Sequence, residues 1–129
     1  MDLYAGKLFI HKHEGLSICA GVNAGGYAAY RIRPDKKPIW YWNNKNWPNE
    51  SPYKKGEWHP FPMTADKTYI GCYCYYVDEG FLTIGEVLEE HGDIIGLSNP
   101  SDYLAYVPRK ACRRFEWLEN RKASLRVVA

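Results

Sequence analysis

TIGEVLEEHG, residues 83–92, is the stretch on which the fold class turns, because it carries the first helical signals in a chain that opens as strands. Thr83 and Glu86 stand three apart. That is the spacing of a capping box, in which a hydroxyl and a carboxylate satisfy the orphan amides of a helix start. Gly92 follows as a left-handed stop. Further on, PRKACRRFEWLENRKA (108–123) repeats Ala111, Cys112, Phe115 and Leu118 at three- and four-residue spacing among Arg and Lys. This pattern predicts an amphipathic helix. Between the two, SNPSDYLAYV (98–107) sets Pro100 at the first turn of a short helix, and SLRVV (124–128) predicts a closing strand.

Upstream of residue 83 the pattern is extended. KLFIHKHE (7–14), LSICAGV (16–22) and YAAYRIR (27–33) are separated by Gly15 and by NAGG (23–26), which predicts an antiparallel meander. KTYIGCYCYYVDEG (67–80) alternates through residue 77 and predicts a further strand. The expected class is α+β: a mostly antiparallel sheet, built from the N-terminal meander plus the 67–77 strand, with two or three helices in the C-terminal half. With 129 residues, no sequence repeat and no low-complexity linker, one compact domain spanning 1–129 is expected.

Hydrophobic content of 46% and charged content of 25% place the chain among ordinary globular proteins. A net charge of +2 argues against a phosphate binder that works by bulk charge. The charges are segregated all the same: 78–93 is purely acidic, whereas 108–126 is rich in Arg and Lys. The apolar run in MDLYAGKLFIHKHEG (1–15) is too short for a signal peptide and no stretch reaches membrane-spanning length, so the four cysteines are expected to be reduced thiols in a cytoplasmic protein.

Aromatic content, at 16%, is the outlier. IWYWNNKNWPNESPYKKGEWHPFP (39–62) holds four of the five tryptophans, yet its prolines and asparagines predict a largely irregular loop from 43 to 62. Rings beside ammonium groups suit anchors in a protein interface, with lysines steering the encounter. The expected contacts are Trp42, Trp47, Tyr53, Lys54, Lys55 and Trp58, helped by Arg109 and Arg113. The competing role for these rings is a lid over the sheet, since each buries roughly 150–250 Å².

The leading expectation is therefore a small binding protein of inhibitor or adaptor type that occludes a protein partner, in the manner of a phage or mobile-element accessory protein. The alternative is a single-stranded nucleic acid or nucleotide binder that stacks bases on the same rings. A third reading is a small enzyme or metalloprotein in which His11 and His13 on one strand meet Cys72 and Cys74 on another. Cys19, Cys112, His59 and His91 are the other thiol and imidazole groups from which a nucleophilic pair would be drawn. GVNAGG (21–26) lacks the Lys-Ser/Thr of a phosphate loop and the spacing of a dinucleotide fingerprint, so no cofactor is expected.

Overall fold

The computed structural model describes residues 1–33, 36–54, 58–98 and 104–117. It is nearly all β. Eleven strands form two antiparallel sheets, and a single 3₁₀ turn, Arg109–Ala111, is the one helical element among the described residues.

The first sheet contains β1 (Leu8–His11), β2 (Gly15–Asn23), β3 (Gly26–Arg31), β4 (Ile39–Asn44) and β5 (Glu50–Pro52), in the order β4-β3-β2-β1-β5. The second contains β6 (Trp58–Pro62), β7 (Tyr73–Asp78), β8 (Phe81–His91), β9 (Ile94–Ser98), β10 (Leu104–Pro108) and β11 (Arg113–Trp117), in the order β10-β9-β8-β7-β11-β6.

The helices expected in the C-terminal half are replaced by strands, so the α+β class is corrected to all-β. Thr83 to Glu86 do not cap a helix; they lie within β8, where Tyr76 pairs with Thr83 and Tyr73 with Glu86. Leu82 and Ile84 alternate into a core, and two flanking ladders outweigh a local capping signal. Gly92 does adopt a left-handed conformation, φ +62°, but in the β8–β9 turn. The 108–123 helix is instead the 3₁₀ turn followed by β11, with 118–123 outside the described residues. Of the short helix expected within 98–107, residues 104–107 belong to β10 and 99–103 lie outside the described residues. The closing strand at 124–128 also lies outside them. The 67–77 strand begins only at Tyr73, because 69–72 folds as a turn with Gly71 at φ +91°. The 43–62 loop is interrupted by β5 and β6.

Each sheet follows the same path. Four strands run as an antiparallel meander, and a fifth returns to pair with the first: β5 with β1, and β11 with β7. The likeness extends to register. In β2 the ladder slips between Cys19 and Gly21, and in β8 it slips between Val87 and Glu89. Cys19 opposes Ala29 as Val87 opposes Leu97, and Tyr27 opposes Asn43 as Ile95 opposes Val107. The sequence shows no repeat; the backbone does.

The first sheet is curled. Strands β1 and β4 are three places apart, which in a flat sheet would separate them by about 14 Å. Yet His11 Nε2 lies 2.9 Å from Asn43 Oδ1, and the His11 and Tyr41 rings are 5.0 Å apart. The concave side encloses Phe9, Cys19, Tyr27 and Ala29. Polar groups complete this interior: Tyr41 donates to Ser17 Oγ at 2.7 Å, and the Asn43 amide donates to the Trp47 carbonyl at 2.9 Å. His11 Nδ1 accepts the backbone N–H groups of His13 and Glu14, which leaves Nε2 to donate to Asn43. The second sheet encloses an apolar counterpart of Cys74, Val87, Ile95, Leu97, Val107 and Cys112, covered by Met63 and Tyr69. A third core joins the two units, with Ile18, Ala20 and Ile32 packing against Tyr75, Leu82 and Ile84.

Burial of Tyr41 and Tyr75 has a measurable consequence. Burial pushes both phenols up to about 12; the Ser17 hydrogen bond partly offsets this at Tyr41, and the Arg113 charge does so at Tyr75. Burial also raises Tyr27 and Tyr30. An unfolded tyrosine ionises near about 10. Between about pH 10 and pH 12 the unfolded chain has therefore released protons that the folded chain retains, and stability falls as pH rises. We expect tyrosinate absorbance and loss of β circular dichroism to rise together in this window. Full tyrosine ionisation in a still-folded chain would contradict the burial described.

Candidate functional site

The aromatic stretch divides into three environments. Trp40 and Trp42 point to one face of β4 and remain 56% and 44% exposed, while Tyr41 turns inward. Their ladder partners are Tyr30 and Ala28. Across from them stands Phe81, the first residue of β8, which is 72% exposed. Ala20, Gly21 and Ala28 form the floor of the resulting groove, Val22, Asn23, Tyr30 and Leu82 complete its lining, and its volume is about 360 Å³.

Local sequence explains the shape. The slip at Ala20–Gly21 puts two small residues opposite Ala28. A Cβ on Gly21 would stand 3.4 Å from the Phe81 ring, in van der Waals contact, which places the second unit's aromatic directly over the first unit's backbone. None of the ten lining residues is charged. Along the groove, β4 pairs with β3 on one side only among the described residues.

Trp47 stands apart in the β4–β5 connection at 68% exposure and is held through its backbone: its N–H donates to Asn44 and its carbonyl accepts from Asn43 and Asn49. Tyr53 and Trp58 are half-buried, and the Tyr53 hydroxyl donates to the Trp58 carbonyl at 2.7 Å. Lys54 is exposed; Lys55 lies outside the described residues. The structure therefore separates Trp42 from Tyr53 and Trp58 rather than gathering all of them on one loop. Sequence reasoning missed Phe81 and the small-residue floor. Their signal would have been the pairing of β2 with β3 through a bulge, which no local pattern announces.

The basic residues also part company. Arg109 is buried, and its guanidinium donates to the Gly92 and Thr64 carbonyls and lies 3.8 Å from Glu90. It ties the β10–β11 turn to the β8–β9 turn and is not available to a partner. Arg113 is half-buried and donates to the Lys110 and Cys112 carbonyls.

The metal reading gains no geometry. Among the described residues no group of three or more His, Cys, Asp or Glu side chains is placed to hold a metal ion. His11 lies inside the first unit with both ring nitrogens hydrogen-bonded, whereas His13 is exposed in the following turn. Cys72 and Cys74 belong to the second unit, and the Cys72 sulfur accepts from Arg114 at 3.3 Å. The hydrogen bond to Cys112 and burial push the Cys74 thiol up, away from the thiolate that a metal or a nucleophile requires. Cys19 and Cys112 are sealed from solvent. His59 packs its ring against Tyr53, and His91 sits on the surface bonded to Glu89. No helix among the described residues is long and apolar enough to cross a membrane.

Compared with known protein families, curated proteins and solved structures, the chain matches none.

Proposed function

We propose that this protein works by binding a protein partner through the groove between β4 and the start of β8, occluding or bridging that partner. The observation that carries this reading is the exposure of Trp40, Trp42 and Phe81 around an uncharged concavity. Large apolar side chains held at the surface around a pocket are the usual anchors of protein recognition. The lining favours protein over nucleic acid, because a strand of phosphates would need cations within it. The edge of β4 that has no strand partner among the described residues suits a partner segment in extended form, whose backbone would continue the sheet while alternate side chains enter the groove. Exposed Lys45 and the protruding Trp47 lie in the connection that follows β4 and would steer and extend the contact.

The test is capture of the partner from host lysate by wild-type protein and by Trp40→Ala and Trp42→Ala variants. Each substitution is expected to weaken binding by roughly 30-fold, the effect of a loss of about 2 kcal/mol at an interface anchor. Thermal unfolding should change far less than binding, since neither ring belongs to a buried core and both stand about half in solvent. Capture should survive nuclease and change little between about 50 and 200 mM salt, whereas phosphate-driven binding would fall by orders of magnitude. Undiminished capture by the double variant would end this reading; loss of capture on nuclease treatment would transfer it to nucleic acid.

A further inference from the structure

A second concavity, of about 210 Å³, lies where the two units meet. Ile32, Arg33, Lys36 and Pro38, from the β3–β4 connection, form one wall. Gly71, Cys72, Tyr73, Ile84, Arg114 and Phe115 form the other. It differs from the aromatic groove in charge: among the described residues that line it, three of ten are cationic and none is acidic.

The Arg33 guanidinium donates through Nε and Nη2 to the Lys37 carbonyl, which fixes its plane and leaves its remaining N–H groups without a partner among the described residues. Arg114 donates to Cys72 Sγ, pairs with Glu116 at 4.0 Å and lies over the Tyr69 ring at 5.9 Å. Lys36 is exposed and makes no ion pair among the described residues. Glu116 partly offsets the charge of Arg114, but Arg33 and Lys36 have no such partner among the described residues, and a dianion seated among the three would be favoured by their like charges. Planar guanidinium groups match phosphate oxygens in pairs. The rest of the wall, Tyr73, Phe115, Ile84, Ile32 and Pro38, is apolar or aromatic and would receive the organic part of the ligand.

We propose that the cleft between the two units binds a small phosphate monoester carrying a flat apolar group, with Arg33, Lys36 and Arg114 on the phosphate and Tyr73 and Phe115 against the ring. This site is separate from the protein-binding groove and does not depend on it.

Cys72 provides a built-in reporter. It is half-exposed in the cleft wall, whereas Cys19, Cys74 and Cys112 are buried, so a neutral alkylating agent such as iodoacetamide should label Cys72 alone in the folded chain. The experiment follows Cys72 alkylation by mass spectrometry in the presence of phenyl phosphate, inorganic phosphate, phenol, or sodium chloride at matched ionic strength. Phenyl phosphate should slow labelling saturably. Inorganic phosphate should do so only at about tenfold higher concentration, and phenol and chloride should have little effect. Arg33→Gln and Lys36→Gln, both outside the buried cores, should each shift the protection by about tenfold, the weight of one charge-assisted hydrogen bond. Unlabelled Cys19, Cys74 and Cys112 report that each variant remains folded. Equal protection by phenol and phenyl phosphate, no protection at all, or undisturbed protection in both variants would overturn the proposal.

Discussion

Gly85→Ala is expected to remove about 4 kcal/mol of stability or more, and to lower Tm by on the order of 15 °C. A Cβ at this position would stand 2.0 Å from the Ser98 carbonyl oxygen and 2.9 Å from its carbon. Neither strand can yield. Gly85 is paired with Cys74 in β7, and Ser98 is paired with Glu86 on one side and Leu104 on the other. The clash therefore falls on backbone in the middle of a six-stranded sheet, where relief requires parting a ladder. Gly92→Ala is the control. There the backbone is left-handed but no atom lies within 4 Å of the new methyl, so only the conformational cost of about 1–2 kcal/mol applies. Chemical denaturation of the two variants checks the contrast. A Gly85→Ala protein as stable as Gly92→Ala would mean that β8 and β9 do not approach in this register.

Phe9→Ala is the second large effect, at about 3–5 kcal/mol. Phe9 is fully buried at the centre of the first unit, with its ring edge-on to Tyr27 at 5.5 Å. Its cluster comprises Cys19, Ala29 and Tyr27 with Leu3 and Tyr41 packed against it, and Ser17 is its ladder partner. Cys19, Ala29 and Ser17 are too small to refill the space, and Tyr41 is tied to Ser17 through its hydroxyl, so most of the cavity should persist. The substitution also tests how the halves are coupled. Ile18, Ala20 and Ile32 share one core with Tyr75, Leu82 and Ile84, which should make the chain unfold as a unit. Pulsed thiol labelling separates the alternatives, because Cys19 reports the first interior and Cys74 and Cys112 report the second. All three should become reactive at the same, lowered denaturant concentration in Phe9→Ala. Exposure of Cys19 ahead of the other two would show halves that open independently.

The first half was readable because alternation and glycine turns agree there. The β1–β3 meander follows from Gly15 and the NAGG turn, and the alternation of Trp40, Tyr41 and Trp42 placed two indoles on one face and the phenol on the other. The second half misled because its local signals are those of helices. TIGE imitates a capping box, and the Ala111–Leu118 spacing imitates an amphipathic stripe. In the fold Ala111 is exposed at the end of a 3₁₀ turn and Phe115 lies on a strand, so the three- and four-residue intervals coincide by chance. Glu86 and Glu89 in β8 disguise its alternation further, since the slip between Val87 and Glu89 changes which parity faces inward. The binding surface was half legible. Trp42 and Trp47 were singled out and are exposed. Phe81, the opposite wall of the groove, meets them only through contacts between the two units. Arg109 looked like a surface cation because no sequence signal shows a guanidinium turned inward to bridge two carbonyls.

A backbone that travels one route twice gives each surface position a counterpart. Trp42 stands opposite Ala28, and Tyr106 stands opposite Gly96 at the matching rung. Tyr106 is likewise open to solvent, but its hydroxyl is bonded to Glu89, which also holds His91. The same architectural slot is thus greasy and neutral in one half, acidic and hydrogen-bonded in the other. Because the two slots hang on separate ladders, amino-acid changes can retune either one without disturbing the other.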